Sequence, residues 1–372
     1  MILSVQRITE NHWLNMRDDW NRLVEKGGAN PLFMSHEWLV AWWETYRLIT
    51  KGQLTILICT DSKNELVGAL PIYFSPARRR GIPIVAATFL GNIWRRNGAF
   101  ISEHQEILAL ADQRKEIILE LLTDLHKHYR WHELVLPFYQ ISSTDSTFLD
   151  TISKTGALLR LTELNTSYSI SLAVGFEAYK RRLTYNTRRR MFTYRKRLKL
   201  AGTIEILDHN PPVSSYWISE INTLMKGRWG RNVLNDLDVI FLTKLSNSSE
   251  NIKVITKTIA LEGQPLSSSL DIRVRKSQFN LLLAFDESLS TKTSPGLVHL
   301  GYLIESAANV LIDKYDLLVG PGKQTSYKES ICDIKNPVCT LQIIRSPWLK
   351  AMYRIWDILF RRQTIIKKEN EL

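Results

Sequence analysis

Cysteine is scarce in this chain. Its 372 residues hold three, Cys59, Cys332 and Cys339, with no Cys-x-x-Cys pair and none beside a histidine cluster. That argues against a disulfide-stapled scaffold and a thiolate metal site, and makes a reduced, cytoplasmic setting the expectation. Cys59 lies in the apolar run LTILICT and reads as a buried thiol. Long apolar runs are missing too, so no membrane-spanning helix is expected. The opening MILSVQRITENHW lacks the basic, apolar, small-residue succession of a secretory signal. No G-x-S-x-G occurs, which disfavours a hydrolase nucleophile elbow. No G-x-G-x-x-G or P-loop lysine occurs, which disfavours dinucleotide and ATP sites. Positions 36–40 read HEWLV rather than HExxH, so no metal is expected.

What is present is apolar material and positive charge. The hydrophobic fraction is 44%, enough for a core, and the length fits two domains or one large one. The formal net charge is +12. It is densest between Lys180 and Lys199, where Arg181, Arg182, Arg188, Arg189 and Arg190 crowd a short span. Such a surface suits an anionic small molecule, an anionic membrane or nucleic acid. No helix-turn-helix, zinc finger or other nucleic-acid signature accompanies it.

The hydrophobic period divides the chain into elements. Ser35 is placed to cap a helix on which Trp38, Ala41, Trp42 and Tyr46 share a face. Residues 53–60 and 65–73 read as a hairpin, and Pro76 to Pro83 as a basic loop. Residues 112–129 form a helix, and Glu133–Leu136 a strand that ends at Pro137. Phe148, Leu149 and Ile152 suggest a short helix. One long helix is expected from Phe176 to Leu200, with Gly202 as its stop. Two further helices cover Tyr216–Met225 and Leu234–Leu245. Three strands follow at Ile252–Ala260, Leu266–Arg275 and Gln278–Phe285, then a helix Leu297–Ile312 and a strand Tyr315–Val319. The tail PWLKAMYRIWDILFRR is amphipathic. Both halves thus run helix, strands, helix, strand, a mixed α/β succession.

Four stretches, in this order, resemble one family: NPLFMSHEWLVAWWE at 30–44, YKRRLTYNTRRRMFTYRKRLKLAG at 179–202, TSPGLVHLGYLIESA at 293–307 and YDLLVGPGKQTSYKESI at 315–331. MKGRWG at 225–230 adds a tryptophan and glycine after a short helix. The family is the acetyltransferase-like group labelled as involved in cellulose biosynthesis, with a domain similar to the GNAT (general acetyltransferase) fold. It is similar, more distantly, to the aminoacyl transferases that build peptidoglycan bridges. The resemblance implies tandem GNAT-like halves with a groove between them: residues 1–165, residues 166–345 and an amphipathic tail at 346–372. The chain departs from the family after Gly320, where Pro321, Gly322 and Lys323 stand in place of the usual acidic residue. It departs again after Tyr327-Lys328, where Glu329-Ser330-Ile331 replaces an arginine-rich continuation.

The resemblance also assigns sites. Ser294, Pro295, Gly296 and Leu297 match the loop and helix start that bind the pyrophosphate of acetyl-CoA; free N–H groups at a helix start suit a phosphate. Pro and Gly equally suit an ordinary helix start. Asp316, Tyr327 and Lys328 are the catalytic candidates, Asp316 as base or orienting group, with a salt bridge to Lys328 or Arg182 as its structural alternative. Arg182 and Arg189, seven apart on the expected helix, and Trp229, expected in a loop between Gly227 and Gly230, are the acceptor-side candidates.

The function expected is transfer of an acyl group from acetyl-CoA or another acyl-CoA, without a metal, to an amine or hydroxyl of a sugar or polysaccharide-related acceptor. The partner is then an anionic or sugar-like small molecule or polysaccharide precursor, with peripheral contact to the inner membrane face or a synthase assembly. Two alternatives stand beside it. One is a non-catalytic accessory of exopolysaccharide synthesis. The other is an aminoacyl-tRNA-dependent transferase, the one case in which nucleic acid is a partner.

Overall fold

The computed structural model describes residues 2–94, 99–140, 152, 156–230, 232–289, 294–319 and 326–359, apart from the side chains of Arg228, Trp229, Leu289 and Ser326. The chain forms two compact units, Met1–Asn165 with Pro337–Leu372, and Thr166–Asn336.

In the first unit, β1 (Ser4–Ile8) leads through α1 (Glu10–Leu14), α2 (Arg17–Lys26) and α3 (His36–Thr50) into β2 (Gln53–Thr60), β3 (Leu66–Arg79) and β4 (Ile82–Phe89). Ser35 caps α3, its Oγ accepting from the Trp38 N–H at 3.3 Å. Trp38, Ala41, Trp42 and Tyr46 are buried, as their spacing requires. The Trp38 and Trp42 indoles donate to Ser102 Oγ and the Phe100 carbonyl, so these rings are satisfied core groups. The four strands pair antiparallel in sequence order. After β5 (Leu108–Ala109), α4 (Arg114–His128) carries the chain to β6 (Glu133–Gln140), which lies parallel to β4. Residues 158–165 of β7 (Leu158–Ser171) and residues 337–344 of β13 (Ile334–Ile344) complete this sheet.

Two expectations fail here for identifiable reasons. Pro76–Pro83 is no loop. The β3–β4 ladder continues to Arg79↔Ile82 and closes on Arg80-Gly81, both with positive φ (50° and 83°). A two-residue turn of that kind matches the twist of the strands it joins. The strand from Glu133 does not stop at Pro137, because β6 itself bulges there: Cys339 pairs with Tyr139 but Leu341 with Leu136, so Pro137 and Phe138 stand opposite Thr340 alone. Proline is tolerated where a ladder is already interrupted. The short helix suggested at Phe148–Ile152 lies, except for Ile152, outside the described residues.

The second unit repeats the succession. β8 (Ile204–Asp208), α8 (Ser215–Trp229), α9 (Asp236–Ser248), β9 (Ile252–Leu261), β10 (Gln264–Val274) and β11 (Ser277–Phe285) give a four-stranded antiparallel run. α10 (Pro295–Asn309) then crosses to β12 (Lys314–Asp316), parallel to β11, and the end of β7 pairs antiparallel with β12. α11 (Ser326–Ile331) precedes β13. In each unit a strand, helices, three strands, a helix and a parallel strand follow one another. The tandem mixed α/β reading of the element order is what the structure has.

The expected long basic helix is broken. α5 (Phe176–Arg182) ends at an extended Leu183, and Thr184 starts α6 (Tyr185–Arg188), accepting from the Thr187 N–H at 3.3 Å. A π-turn, Arg189–Thr193, joins it to α7 (Tyr194–Ala201). The threonine taken as a gap-filler at 187 is buried, and the one at 184 is a cap that competes with a continuous helix.

The tail forms α12 (Pro347–Leu359), packed on the first unit through Leu349 and Tyr353. Arg160 grips Asp357 through two nitrogens, at 2.8 and 2.5 Å, and Tyr353 donates to Glu133, which also pairs with Arg79.

Candidate functional site

The second unit has an opening in its sheet. β11 pairs with β10 along its whole length but with β12 only at Ser277–Phe279. Beyond Phe279 one edge of β11 has no ladder to β12. The β10–β11 register also shifts: Leu270 pairs with Leu282 and Asp271 with Asn280, which leaves Leu281 as an extra residue. Such a bulge re-aims backbone groups. Leu281, Leu282 and Leu283 are only half-buried, although they lie in an interior strand.

α10 starts against the end of β11. Pro295 and Gly296 are buried, and a Cβ on Gly296 would stand 2.7 Å from the Phe285 ring. Glycine is therefore favoured there by contact. Ser294 has a left-handed backbone (φ 49°) and makes no side-chain cap; its Oγ accepts from Arg190 Nε at 3.1 Å. The N–H groups of Gly296 and Leu297 lie in the first turn, where a helix offers no internal acceptor. That turn carries no acidic residue. A guanidinium beside the positive end of a helix dipole is repulsive unless an anion joins them. The residues present thus fit a phosphate.

Close packing puts Arg190 there. A Cβ on Gly301 of α10 would lie 2.7 Å from the Met191 carbonyl, so the π-turn and α10 touch backbone to backbone. Arg195 holds the pair one turn on, bonded to Glu305 at 2.5 Å and stacked 3.7 Å over Tyr302. Arg190 thus joins the basic segment to the start of α10.

The other sequence candidates fall as follows. Arg182, on α5, pairs with Asp333 and donates to the Ser171 carbonyl at 2.9 Å. Arg189, in the π-turn, lies 5.7 and 5.9 Å from the Tyr185 and Tyr194 rings. The break at Leu183 removes the common helix face on which the two were to sit. Trp229 is the last residue of α8, not a loop residue, because the helix runs one turn past Met225 to a left-handed Gly230. Asp316 is buried at the end of β12, accepting from the Leu318 N–H at 2.8 Å and paired with Lys314 at 3.0 Å, a partner the sequence reading did not name. Lys328 is buried, and its ammonium donates to the carbonyls of Leu317, Leu318 and Val319 at 2.8, 3.0 and 2.9 Å. Tyr327 packs half-buried against the apolar cluster beside it. Gly320 to Lys323 lie outside the described residues.

A polar cluster escaped the sequence reading. His209 Nε2 lies 2.9 Å from Thr258 Oγ1 and 3.4 Å from Glu220 Oε2. Thr258 bonds Glu220 at 2.9 Å and Ser268 at 3.1 Å. Burial lowers the His209 pKa, against the charges of Glu220 and Asp208 that raise it. Thr258 and Ala284 both pair with Ser268, so the cluster shares a sheet row with the end of β11. On an alternate residue, Ser267 Oγ lies 2.8 Å from His299 Nδ1 and donates to the Ala284 carbonyl. Burial drives the His299 pKa down to about 3. The available signal was Ser267-Ser268-Ser269, three hydroxyls in a strand that otherwise reads as buried. A second fully buried group, Asp271, accepts from Gln278, Asn280 and Tyr315 at 2.5, 2.7 and 2.7 Å; burial raises its pKa and these bonds oppose the rise. Cys332 is no nucleophile, since burial, then the charge of Asp316, push its thiol well up. Among the described residues no group of acidic, histidine or cysteine side chains is arranged to hold a metal.

Comparison with known proteins bears on the fold. Residues 186–329 match the family model described as Acetyltransferase (GNAT) domain. The matched span lies within the second unit. FemX aligns over 95% of this chain and 99% of its own, with a TM-score of 0.61 at 9% identity. The C-terminal domain of a putative lysylphosphatidylglycerol synthetase from Agrobacterium fabrum aligns over 94% and 96%, with a TM-score of 0.53 at 10% identity. A tandem GNAT protein from the clavulanic acid biosynthesis pathway aligns over 93% and 99%, with a TM-score of 0.52 at 8% identity. At these identities the likeness is one of fold, and that fold is tandem GNAT. No curated protein matches the chain.

Proposed function

We propose that this chain transfers an acyl group from an acyl-CoA thioester to an amine or hydroxyl on a sugar-related acceptor. The observation that carries the reading is the first turn of α10, with Arg190 on Ser294, set against a strand whose ladder to β12 covers only Ser277–Phe279. Arg190 and the N–H groups of Gly296 and Leu297 hold the phosphates of the donor. The donor supplies an activated thioester at the end of a long arm containing amides, and the edge of β11 offers an extended arm its backbone groups. A backbone N–H freed by the bulge at Leu281 would stabilise developing negative charge on a carbonyl oxygen.

His209 is the proton acceptor in this reading. With Nε2 turned to Thr258 and Glu220, the ring proton stays on Nε2 and Nδ1 is left to take a proton from the acceptor. Its lowered pKa keeps the ring neutral near pH 7, and Glu220 stabilises the imidazolium once formed. Lys328 fixes the backbone at 317–319, and Asp316 and Tyr327 shape the same end of β12. The sugar-related acceptor rests on the family that the four sequence stretches resemble.

The test is release of free thiol from acetyl-CoA in the presence of amino sugars and polysaccharide fragments. Turnover that falls ~100-fold or more in His209→Gln, with KM for the donor unchanged, is the expected result. Equal turnover in His209→Gln would remove the base assignment. Transfer from aminoacyl-tRNA but from no CoA thioester would replace the donor.

A further inference from the structure

α12 carries two apolar faces, and one of them is uncovered. Leu349 and Tyr353 are buried against the first unit, with Asp357 bonded to Arg160. A second stripe runs Trp348, Met352, Ile355 and Leu359, at spacings of four, three and four residues that keep one helix face. Met352 is half-buried, but Trp348, Ile355 and Leu359 are 37%, 59% and 70% exposed, and Ile358 beside them is 76% exposed. Single exposed apolar residues are ordinary; a stripe along a whole helix marks an interaction surface.

The charge around the stripe says what covers it. The acidic residue of α12, Asp357, is neutralised by Arg160, and Arg354 is exposed. The tip of the β3–β4 hairpin joins this face: the Arg80 guanidinium stacks 3.5 Å over Trp356, and Ile82 is 45% exposed. The hairpin tip reads Arg78-Arg79-Arg80, of which Arg79 is held by Glu133. The surface is thus apolar at its centre and cationic at its edge. That is the pattern of a helix lying in the plane of a bilayer interface, its apolar stripe among the acyl chains and its cations at anionic headgroups. The tryptophan at the rim suits the headgroup level. No helix among the described residues is long and apolar enough to cross a membrane, so the contact is peripheral.

We propose that α12 and the β3–β4 hairpin tip dock this protein on an anionic phospholipid surface. The surface lies in the first unit and is independent of the donor site.

Sedimentation of the full chain with vesicles tests it. Vesicles of phosphatidylcholine with about a third phosphatidylglycerol should bring the protein down, and pure phosphatidylcholine should not. Raising salt should release it. Ile355→Asp with Leu359→Asp should weaken partition roughly tenfold or more, and Arg80→Glu with Arg354→Glu should abolish the preference for anionic lipid. All four positions are surface contacts, and melting curves should show the variants folded. Wild-type protein that ignores anionic vesicles overturns the proposal. So does a wild-type dimer that Ile355→Asp dissociates while vesicle binding is absent, since the stripe would then belong to a second copy. Unaltered partition in both folded double variants also overturns it.

Discussion

Ser267, Ser268 and Ser269 lie in the interior of the second unit's sheet, and each hydroxyl serves a different purpose. Ser268 joins the His209–Glu220–Thr258 cluster, Ser267 joins His299, and Ser269 is buried at hydrogen-bond distance from the Lys257 carbonyl. Little of this was legible in the sequence. A serine run gives no sign of which face each member takes, and His209 is brought to Thr258 by strand pairing and Glu220 by α8, rather than by spacing. Asp316, by contrast, was legible as a carboxylate on a strand end, but its partner Lys314, two residues away on the same strand face, was passed over for the more distant Lys328. His299 gives a residue-scale prediction. Its folded pKa of about 3 lies below its ordinary 6.5, so the unfolded chain binds the proton first. Stability is therefore complete above about pH 6.5 and is lost as pH falls toward 3, by an amount on the order of 4–5 kcal/mol. Asp271, with a raised pKa, works in the opposite direction and favours the fold in acid. His299→Asn keeps a donor for Ser267 and lacks the titrating ring. Urea unfolding at pH 7, 5 and 4 should give a shallower loss in the variant than in wild type; identical slopes would show that His299 is not the buried neutral group described.

The elements were read well where a single period dominates and poorly where backbone hydrogen bonds decide. α3, α4 and the strands β9 to β11 fall close to their expected limits because each carries an unbroken apolar pattern. The basic segment misled for the opposite reason. Its apolar residues keep helical spacing across Leu183 and the π-turn, so the pattern hides both interruptions. The β3–β4 hairpin misled because Pro76 and Pro83 suggest a loop, whereas the turn is set by Arg80-Gly81. The contact between α10 and the π-turn is the element on which the proposed donor site depends. Gly301→Ala would put a methyl group 2.7 Å from the Met191 carbonyl. It should cost ~1–3 kcal/mol and, by moving the π-turn, should also weaken CoA binding. A Tm shift without a change in CoA affinity would mean that Arg190 is not placed by this contact.

At the scale of the molecule the repeat was legible, since element order alone carries it, and the resemblance of four ordered stretches pointed to the same superfamily as the match over residues 186–329. The allocation of the tail to the first unit was not legible. It depends on Arg160 meeting Asp357 across 197 positions of sequence, which no local pattern announces. Arg160→Ala strands a buried carboxylate and should cost ~3–5 kcal/mol, with faster proteolysis within residues 347–359; an unchanged Tm would mean that α12 is held otherwise. In the proposed function the start of α10 with Arg190 holds an acyl-CoA donor. Calorimetric titration of acetyl-CoA into wild type, Arg190→Ala and Arg182→Ala tests it most directly. One saturable site is expected in wild type, with a loss of about tenfold or more in Arg190→Ala, the effect of a charged hydrogen bond. Arg182→Ala should bind as wild type does, because that guanidinium is engaged with Asp333 and the Ser171 carbonyl. No saturable binding by wild type, or equal affinity in wild type and Arg190→Ala, would contradict it.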